Sequence, residues 1–124
     1  MDFSAKQLSE ASVCIAPDGL KVELQRGGMA CFELAPERVS VAVAHKTVEE
    51  IWLFLAGEGE MWRKQGEREE TIAVKRGLCL TIPVGVSFQV RCLSGEPLVA
   101  VGVTMPHWPG DEEAYEVEGK WKPL

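Results

Sequence analysis

The chain has 124 residues, of which 46% are hydrophobic and 26% are charged, with a formal net charge of -6 at pH 7. This length fits one domain that buries a core without disulfide or metal support, and no apolar run reaches the roughly 20 residues that a membrane-spanning helix needs. The acidic balance argues against binding to nucleic acid or to a membrane surface. Because the first ten residues lack the apolar core of a secretory signal, we expect a cytoplasmic protein.

After an N-terminal arm or short helix over residues 1–11, the sequence is a succession of short apolar or alternating segments. Turn sequences such as APDG, RGG, AGEG and LSGEP separate them. This spacing is typical of an antiparallel sandwich or barrel. The predicted strands span residues 12–16, 20–25, 30–34, 39–45, 50–55, 60–64, 71–75, 79–82, 87–93 and 98–104. We therefore expect an all-β barrel over residues 12–105 and an acidic, aromatic tail over residues 106–124 packed on the barrel.

Two segments predict which side chains face the interior. In SFQVRC, Phe88 and Val90 alternate with polar residues, which predicts a half-buried strand. In EEIWLFLA, Trp52 and Phe54 share one face with Glu50, and the opposite face is apolar as well. Because a strand with two apolar faces is covered on both sides, we expect a second copy of the chain to cover the outer face in a homodimer.

The four cysteines form no CxxC pair and stand in apolar, strand-like surroundings. Without an export signal, this pattern predicts buried reduced thiols. The residues concerned are Cys14, Cys31, Cys79 and Cys92.

Two groups of residues stand at motif-like spacing. In the first, His45 precedes Glu50 by five positions, and Gly57 follows Glu50 after six residues. This spacing resembles the first motif of the cupins, small double-stranded β-helix (jelly-roll) barrels, which contains a His-x-His pair, then a Glu after three or four residues, and a Gly after six more. His45, Glu50 and Gly57 stand at the second His, the Glu and the Gly of that motif.

The second cupin motif reads Gly, five residues, Pro-x-Gly, two residues, His, three residues and Asn. Here Gly77, Pro83 and Gly85 stand at the matching positions. Together the two motifs cover about residues 35 to 105. The resemblance implies an all-β, double-stranded β-helix (jelly-roll) cupin barrel.

The resemblance also implies a metal site with four ligands, of which this chain keeps His45 and Glu50. Val43 and Phe88 stand where the motifs have their other two histidines. A tight divalent site needs three or four protein ligands, so we expect a possible Mn, Fe, Ni or Zn ion to be only weakly held. His107, which follows the last barrel strand, is a candidate third ligand.

Three interpretations of His45 stay open at this point. It hydrogen-bonds Glu50 within a pocket, it belongs to an incomplete or rebuilt metal site, or it is a structural histidine at a strand end. In a pair with Glu50, the carboxylate would favour the charged imidazole, whereas burial would oppose it. Because such a pair can act as a general acid and base, these two residues are also the candidate catalytic residues.

The large apolar side chains of the barrel either line a ligand pocket or simply fill the interior. The candidate pocket residues are Val43, Trp52, Phe54, Trp62, Phe88 and Val90. The tail either anchors on the barrel or a neighbouring subunit through its aromatic residues, or it closes the pocket as a lid through His107 and Trp108.

Three functions from different classes follow. We favour a barrel that binds a small organic molecule in its interior, with an incomplete metal site and no assignable reaction. The alternative is a metal-dependent cupin enzyme that acts on a sugar-like or small acid substrate through His45 and Glu50, as an isomerase, epimerase or dioxygenase. In a variant of this hypothesis, His45 and Glu50 act without a metal. The third is a structural or regulatory domain with a filled barrel.

Overall fold

The structure, a computed structural model, describes residues 4–5 and 21–124, where the chain forms ten β-strands. The strands are β1 (Lys21–Leu24), β2 (Gly27–Leu34), β3 (Val43–His45), β4 (Glu49–Ala56), β5 (Glu58–Gln65), β6 (Arg68–Lys75), β7 (Cys79–Ile82), β8 (Ser87–Cys92), β9 (Leu98–Met105) and β10 (Ala114–Glu116). No segment of this described part forms a helix long and apolar enough to cross a membrane. The predicted N-terminal arm (1–11) and the predicted strand 12–16 lie outside the described residues, except for residues 4 and 5.

The strands form two antiparallel five-stranded sheets. The first sheet has the order β1-β2-β9-β4-β7, and the second sheet has the order β10-β3-β8-β5-β6. Strands that are distant in sequence are therefore neighbours, as β4 and β9 are over seven residue pairs. This arrangement is a jelly-roll barrel, in which each sheet contributes one face to the common interior.

Alternation along the strands sorts side chains between interior and exterior. On β4, Trp52 and Phe54 are buried, whereas Ile51 and Leu53 are exposed. On β8, Phe88 faces the interior as predicted. The buried residues that form the core are Trp52, Phe54, Met61, Val74, Leu80, Ile82, Val86, Phe88, Val90, Cys92, Leu98 and Ala100.

The outer face of the first sheet is apolar and exposed. Ile51 and Leu53 on β4 are 40% and 39% exposed, and their cross-strand neighbour Val103 on β9 is 37% exposed. Met29 on β2 lies opposite Val103 and is also exposed. These side chains stay exposed among the residues that the structure describes, and the homodimer stays a prediction.

The C-terminal tail adds a strand that the sequence did not predict. Residues 114–116 form β10, which pairs with β3 so that Ala114 lies opposite His45. The C-terminal Leu124 exchanges two backbone hydrogen bonds with Val39, at 2.9 and 3.0 Å. A strand of three residues carries too little side-chain alternation to be recognised, since the backbone of β3 is what holds it in place.

Hydrogen bonds of the Gln89 side chain hold the C-terminal tail on the outer face of the second sheet. Its side-chain amide donates to the carbonyl of Trp121 at 2.7 Å and of Ser40 at 2.9 Å, and its Oε1 accepts from Trp121 N–H at 2.9 Å. The Arg91 guanidinium lies 4.4 Å from the Trp121 ring centroid. Gln89 is thereby fully buried, which corrects the expectation that the polar face of β8 is exposed to water.

Replacing Gln89 with alanine is expected to lower the free energy of unfolding by about 2 kcal/mol. The substitution leaves three backbone groups of the tail and of Ser40 without their partner, and buried polar groups without partners are costly. Urea unfolding measures the change, with Gln65→Ala on the exposed end of β5 as the control. Equal stability of the two variants would contradict this role for Gln89.

The cysteines differ from the prediction. Cys31 is disulfide-bonded, and Cys79 is a free but exposed thiol. Only Cys92 is both free and buried, and Cys14 lies outside the described residues. Sequence spacing alone does not reveal which cysteines meet in space, and Cys79 is exposed because it lies opposite Leu53 on the outer face of the first sheet. Since disulfides are uncommon in reducing compartments, the cysteines give no support to a cytoplasmic location, which stays a prediction.

Candidate functional site

His45 and Glu50 come from different sheets and meet inside the barrel. His45 ends β3 in the second sheet, and Glu50 lies near the start of β4 in the first sheet. Both are buried, with 4% and 3% of the side chain exposed. The turn that contains Gly85 fixes the end of β3, because the Gly85 N–H donates to the His45 carbonyl at 3.1 Å. The two cupin-like motifs therefore converge on one place in the fold.

The two side chains approach each other without a hydrogen bond. His45 Nδ1 lies 3.7 Å from Glu50 Oε2, which is longer than a hydrogen bond. Within residues 4–5 and 21–124, the buried Nδ1 atom has no hydrogen-bond partner. Glu50 Oε2 instead accepts a hydrogen bond of 3.2 Å from the indole N–H of Trp52. The interpretation of His45 as hydrogen-bonded to Glu50 is therefore not what the structure shows.

Burial displaces both side chains toward their neutral forms. Burial raises the pKa of Glu50 from its ordinary 4.5 to about 7, and the Trp52 hydrogen bond offsets part of that effect. Burial also lowers the pKa of His45 below its ordinary 6.5, although the negative charge of Glu113 acts in the opposite direction. Desolvation therefore outweighs the nearby negative charge, which comes from Glu113 and not from Glu50 as expected from the sequence.

A cavity of about 470 Å³ opens beside this pair, in the size range of small-molecule sites. Five of the six predicted pocket residues line it, namely Val43, Trp52, Phe54, Phe88 and Val90. The lining is mostly apolar, and His45, Glu50 and Thr104 contribute polar groups. The described residues therefore leave space inside the barrel, which does not fit a completely filled interior.

Trp62 is the predicted pocket residue that does not line the cavity. On β5 its neighbour Met61 faces the core, so Trp62 points to the opposite face of the second sheet. There it lies opposite Gln89 on β8, and its indole N–H donates to Glu69 Oε1 at 2.6 Å. Trp62 is nevertheless buried. The prediction is wrong because side chains alternate along β5, so that Trp62 is out of phase with the core residue Met61.

Phe32 and Gly102 belong to the site, although the sequence did not identify them. Phe32 stacks on Trp52, with ring centroids 4.6 Å apart and an interplanar angle of 12°. The stack lies over Gly102, where an added Cβ would be 2.6 Å from Phe32 Cε2 and 3.1 Å from Trp52 Nε1. The available signal was strand alternation in MACFEL, which places Phe32 in phase with Ala30 and Leu34.

The Gly102→Ala variant is expected to lose about 2 kcal/mol of stability and to disturb the Phe32–Trp52 stack. The new methyl group overlaps two rings, and Trp52 is held in place by Glu50, so the site cannot relax without strain. Thermal unfolding and near-UV circular dichroism measure both effects. Gly95→Ala is the matched control, because no atom lies within 4 Å of the added Cβ there. Identical spectra for the two variants would contradict the close packing.

The two predicted lid residues have different positions. Trp108 lines the cavity and packs edge-on against His45, with centroids 5.1 Å apart. His107 is not a cavity-lining residue, and its Nδ1 lies 3.0 Å from the carbonyl oxygen of Gln25. Adjacent residues in an extended segment point in opposite directions, so only one of the pair can face the cavity.

Glu113 fastens the segment that carries Trp108. Its carboxylate accepts hydrogen bonds from the Thr47 N–H, at 3.0 Å to one oxygen and 2.8 Å to the other, and from the Thr47 hydroxyl. Burial raises the pKa of Glu113, but hydrogen bonds from Thr47 and from the backbone of Lys46 and Val48 outweigh burial and hold that pKa below its usual range. The tail is thereby joined to the loop that follows His45.

The donor atoms at the site do not fit a tight divalent metal. Val43 and Phe88 are direct cross-strand partners, so both predicted ligand positions present apolar side chains beside His45. Within residues 4–5 and 21–124, no group of three or more His, Cys, Asp or Glu side chains is placed to hold an ion. His45 and Glu50 supply two donors, whereas a tight site needs three or four.

Comparison with solved structures finds the same fold at low sequence identity. An uncharacterized conserved protein with a double-stranded β-helix domain from Klebsiella pneumoniae matches with a TM-score of 0.66 and 18% identity, over 79% of this chain and 80% of that chain. Oxalate decarboxylase from Bacillus subtilis matches with a TM-score of 0.67 and 16% identity, over 75% of this chain and 24% of that chain. A capsular polysaccharide assembling protein from Staphylococcus aureus matches with a TM-score of 0.66 and 20% identity, over 79% and 30% of the two chains.

These matches confirm the fold class: this chain has the all-β, double-stranded β-helix fold of the cupins. At such identities they show the fold alone. No family model matches the chain, and no curated protein matches it. The chain aligns with only 24% of oxalate decarboxylase, whose Mn(II) centers are a property of that enzyme.

Proposed function

We propose that this chain binds a small organic molecule inside its barrel and does so without a metal ion. The observation that carries the proposal is the apolar cavity of about 470 Å³ with His45 and Glu50 buried in its wall. Pockets of this kind use many apolar contacts for affinity and a few polar groups for orientation. The unpartnered Nδ1 of His45 is a polar atom that a ligand would satisfy.

The proposal is tested with N-phenyl-1-naphthylamine, a neutral fluorescent probe of apolar cavities. We expect saturable, one-to-one binding to the natural chain. Ala100 lies in the cavity wall opposite Phe32 and Phe54, so Ala100→Leu should fill part of the space and weaken binding. Ala73→Leu on the exposed face of β6 adds the same volume outside the barrel. Equal binding by both variants, or no binding to the natural chain, would overturn the proposal.

A second candidate function is proton transfer by His45 and Glu50, as in a cupin-type isomerase or epimerase that needs no metal. The observation that favours it is the displaced pKa of both side chains at 3.7 Å separation within a cavity. Hydrogen–deuterium exchange next to the carbonyl group of keto sugars or keto acids, followed by NMR in D₂O, tests this activity. Exchange that persists unchanged in His45→Ala would exclude the pair as its source.

A further inference from the structure

The cavity combines aromatic walls with one buried acid. Five aromatic residues line it: Phe32, Trp52, Phe54, Phe88 and Trp108. Trp52 contacts three of the others, with centroid distances of 4.6 Å to Phe32, 6.0 Å to Phe54 and 6.0 Å to Phe88. Glu50 lies beside Trp52 in this cluster and is 3% exposed. Trp52 therefore joins the carboxyl group of Glu50 to the aromatic wall of the cavity.

Among the described residues that line the cavity, no lysine or arginine forms an ion pair with Glu50. Lys21 is the single lysine or arginine among the described lining residues. Its side chain is half-exposed, and its Nζ lies 2.8 Å from Glu23 Oε1. Glu33 adds a further acid on the exposed side. The remaining titratable neighbour of Glu50 is His45, which burial holds toward its neutral form.

This arrangement favours a ligand that brings its own positive charge. Aromatic faces attract organic cations, most strongly when water is excluded, and a buried carboxylate needs a partner of opposite charge. A bound cation would therefore satisfy Glu50 and the rings at once. Above pH 7, where the Glu50 carboxyl group is mostly ionised, it would repel a ligand carboxylate, and a neutral ligand would leave it without a charged partner.

We propose, on the basis of the ligand-binding role above, that the cavity is selective for an organic ammonium compound whose cationic group lies between Glu50 and the surrounding aromatic rings. The apolar part of the ligand then occupies the region lined by Val43, Val90 and Ala100. A volume of about 470 Å³ accommodates a ring with a short aminoalkyl chain.

Three probes of similar size and shape test the charge preference by isothermal titration calorimetry at about pH 8, above the Glu50 pKa of about 7: 2-phenylethylammonium, 2-phenylethanol and 3-phenylpropionate. We expect the ammonium compound to bind the natural chain at least roughly 10-fold more tightly than the alcohol. We expect the carboxylate to bind most weakly. Glu50→Gln should remove most of the preference for the ammonium compound over the alcohol, whereas Glu58→Gln, which changes an exposed acid of β5 outside the cavity lining, should retain it. Trp108→Leu should weaken ammonium binding more than alcohol binding.

The outcomes separate this proposal from the ligand-binding role on which it rests. If the alcohol binds as tightly as the ammonium compound, or if the carboxylate binds best, the cavity still binds ligands but the preference for cations is overturned. If none of these probes binds and the neutral naphthylamine probe also fails, both proposals are overturned. The order of the three affinities for the natural chain is enough to decide the charge preference. The test therefore does not depend on whether Glu50→Gln folds, which circular dichroism checks separately.

Discussion

Replacing Glu50 with glutamine is expected to increase stability at alkaline pH relative to the natural chain. The pKa of Glu50 is about 7 in the folded protein, against an ordinary value of 4.5 that applies to the unfolded chain. Between these values the unfolded chain has released a proton that the folded chain still holds, so rising pH favours unfolding. The contribution of the Glu50 pKa difference to the free energy of unfolding is fully present below pH 4.5 and is lost as the pH rises through 7. The loss amounts to about 3 kcal/mol.

The measurement is the free energy of unfolding in urea for both chains between pH 4.5 and 8. His45 has the opposite effect, because its lowered pKa makes stability fall as the pH drops below 6.5. Since His45 is present in both chains, the difference between them isolates Glu50. Glu58→Gln, at an exposed position of β5, controls for the loss of one carboxyl group. Parallel stability curves for the natural chain and Glu50→Gln would show that burial does not shift this carboxyl group.

Introducing histidines at Val43 and Phe88 together is expected to complete a metal site for which the described residues of the natural chain supply two donors. The two residues are cross-strand partners on β3 and β8, and His45 follows Val43 by two positions on the same face. The double variant therefore adds two imidazoles beside His45 and Glu50, to reach the four ligands of a complete site. Loss of a residue that only orients a metal ligand lowers metal affinity roughly 10–100-fold. The two added histidines would bind the ion directly, so we expect them to raise metal affinity by more than this factor.

Elemental analysis after dialysis against Mn, Fe, Ni or Zn, followed by calorimetric titration, measures this gain. We expect stoichiometric metal in Val43→His/Phe88→His and little in the natural chain. Adding His45→Ala to the double variant should remove the ion, and Val43→Leu/Phe88→Leu controls for altered packing. Stoichiometric, His45-dependent metal in the natural chain would contradict the conclusion that two donors are too few, and it would favour the metal-dependent enzyme.

Strand periodicity and motif spacing determined most of the barrel from the sequence. Phe88 faces the interior because side chains alternate along a strand, and this alternation is readable in six residues. The position of Gly57, separated from Glu50 by six residues, can also be recognised from the sequence, because the local backbone requires a glycine there. Gly57 has a φ of 78°, and an added Cβ there would lie 2.4 Å from the Pro97 carbonyl oxygen. Such a position requires glycine, so the requirement is visible in the sequence itself.

The properties of the candidate site depended instead on contacts between distant segments. The residue types and spacing of His45 and Glu50 placed them together, but the direction of each pKa follows from how completely both sheets exclude water. Phe32 enters the site through its stack on Trp52, twenty residues away along the chain. Trp62 is buried on the other face, and Gln89 is buried because the C-terminal tail returns to cover it.

The reason for this division is the range of the interactions involved. Alternation, turns and glycine requirements act over a few residues, so the sequence by itself determines most of the barrel strands and the all-β class. The two replaced metal-ligand positions follow from the resemblance to the cupin motifs. Burial, the cavity volume and the displaced pKa values are set by which surfaces cover one another, and those surfaces come from strands far apart in the chain. Only the tertiary structure therefore decided that the barrel holds a cavity in whose wall burial lowers the pKa of His45 and raises the pKa of Glu50.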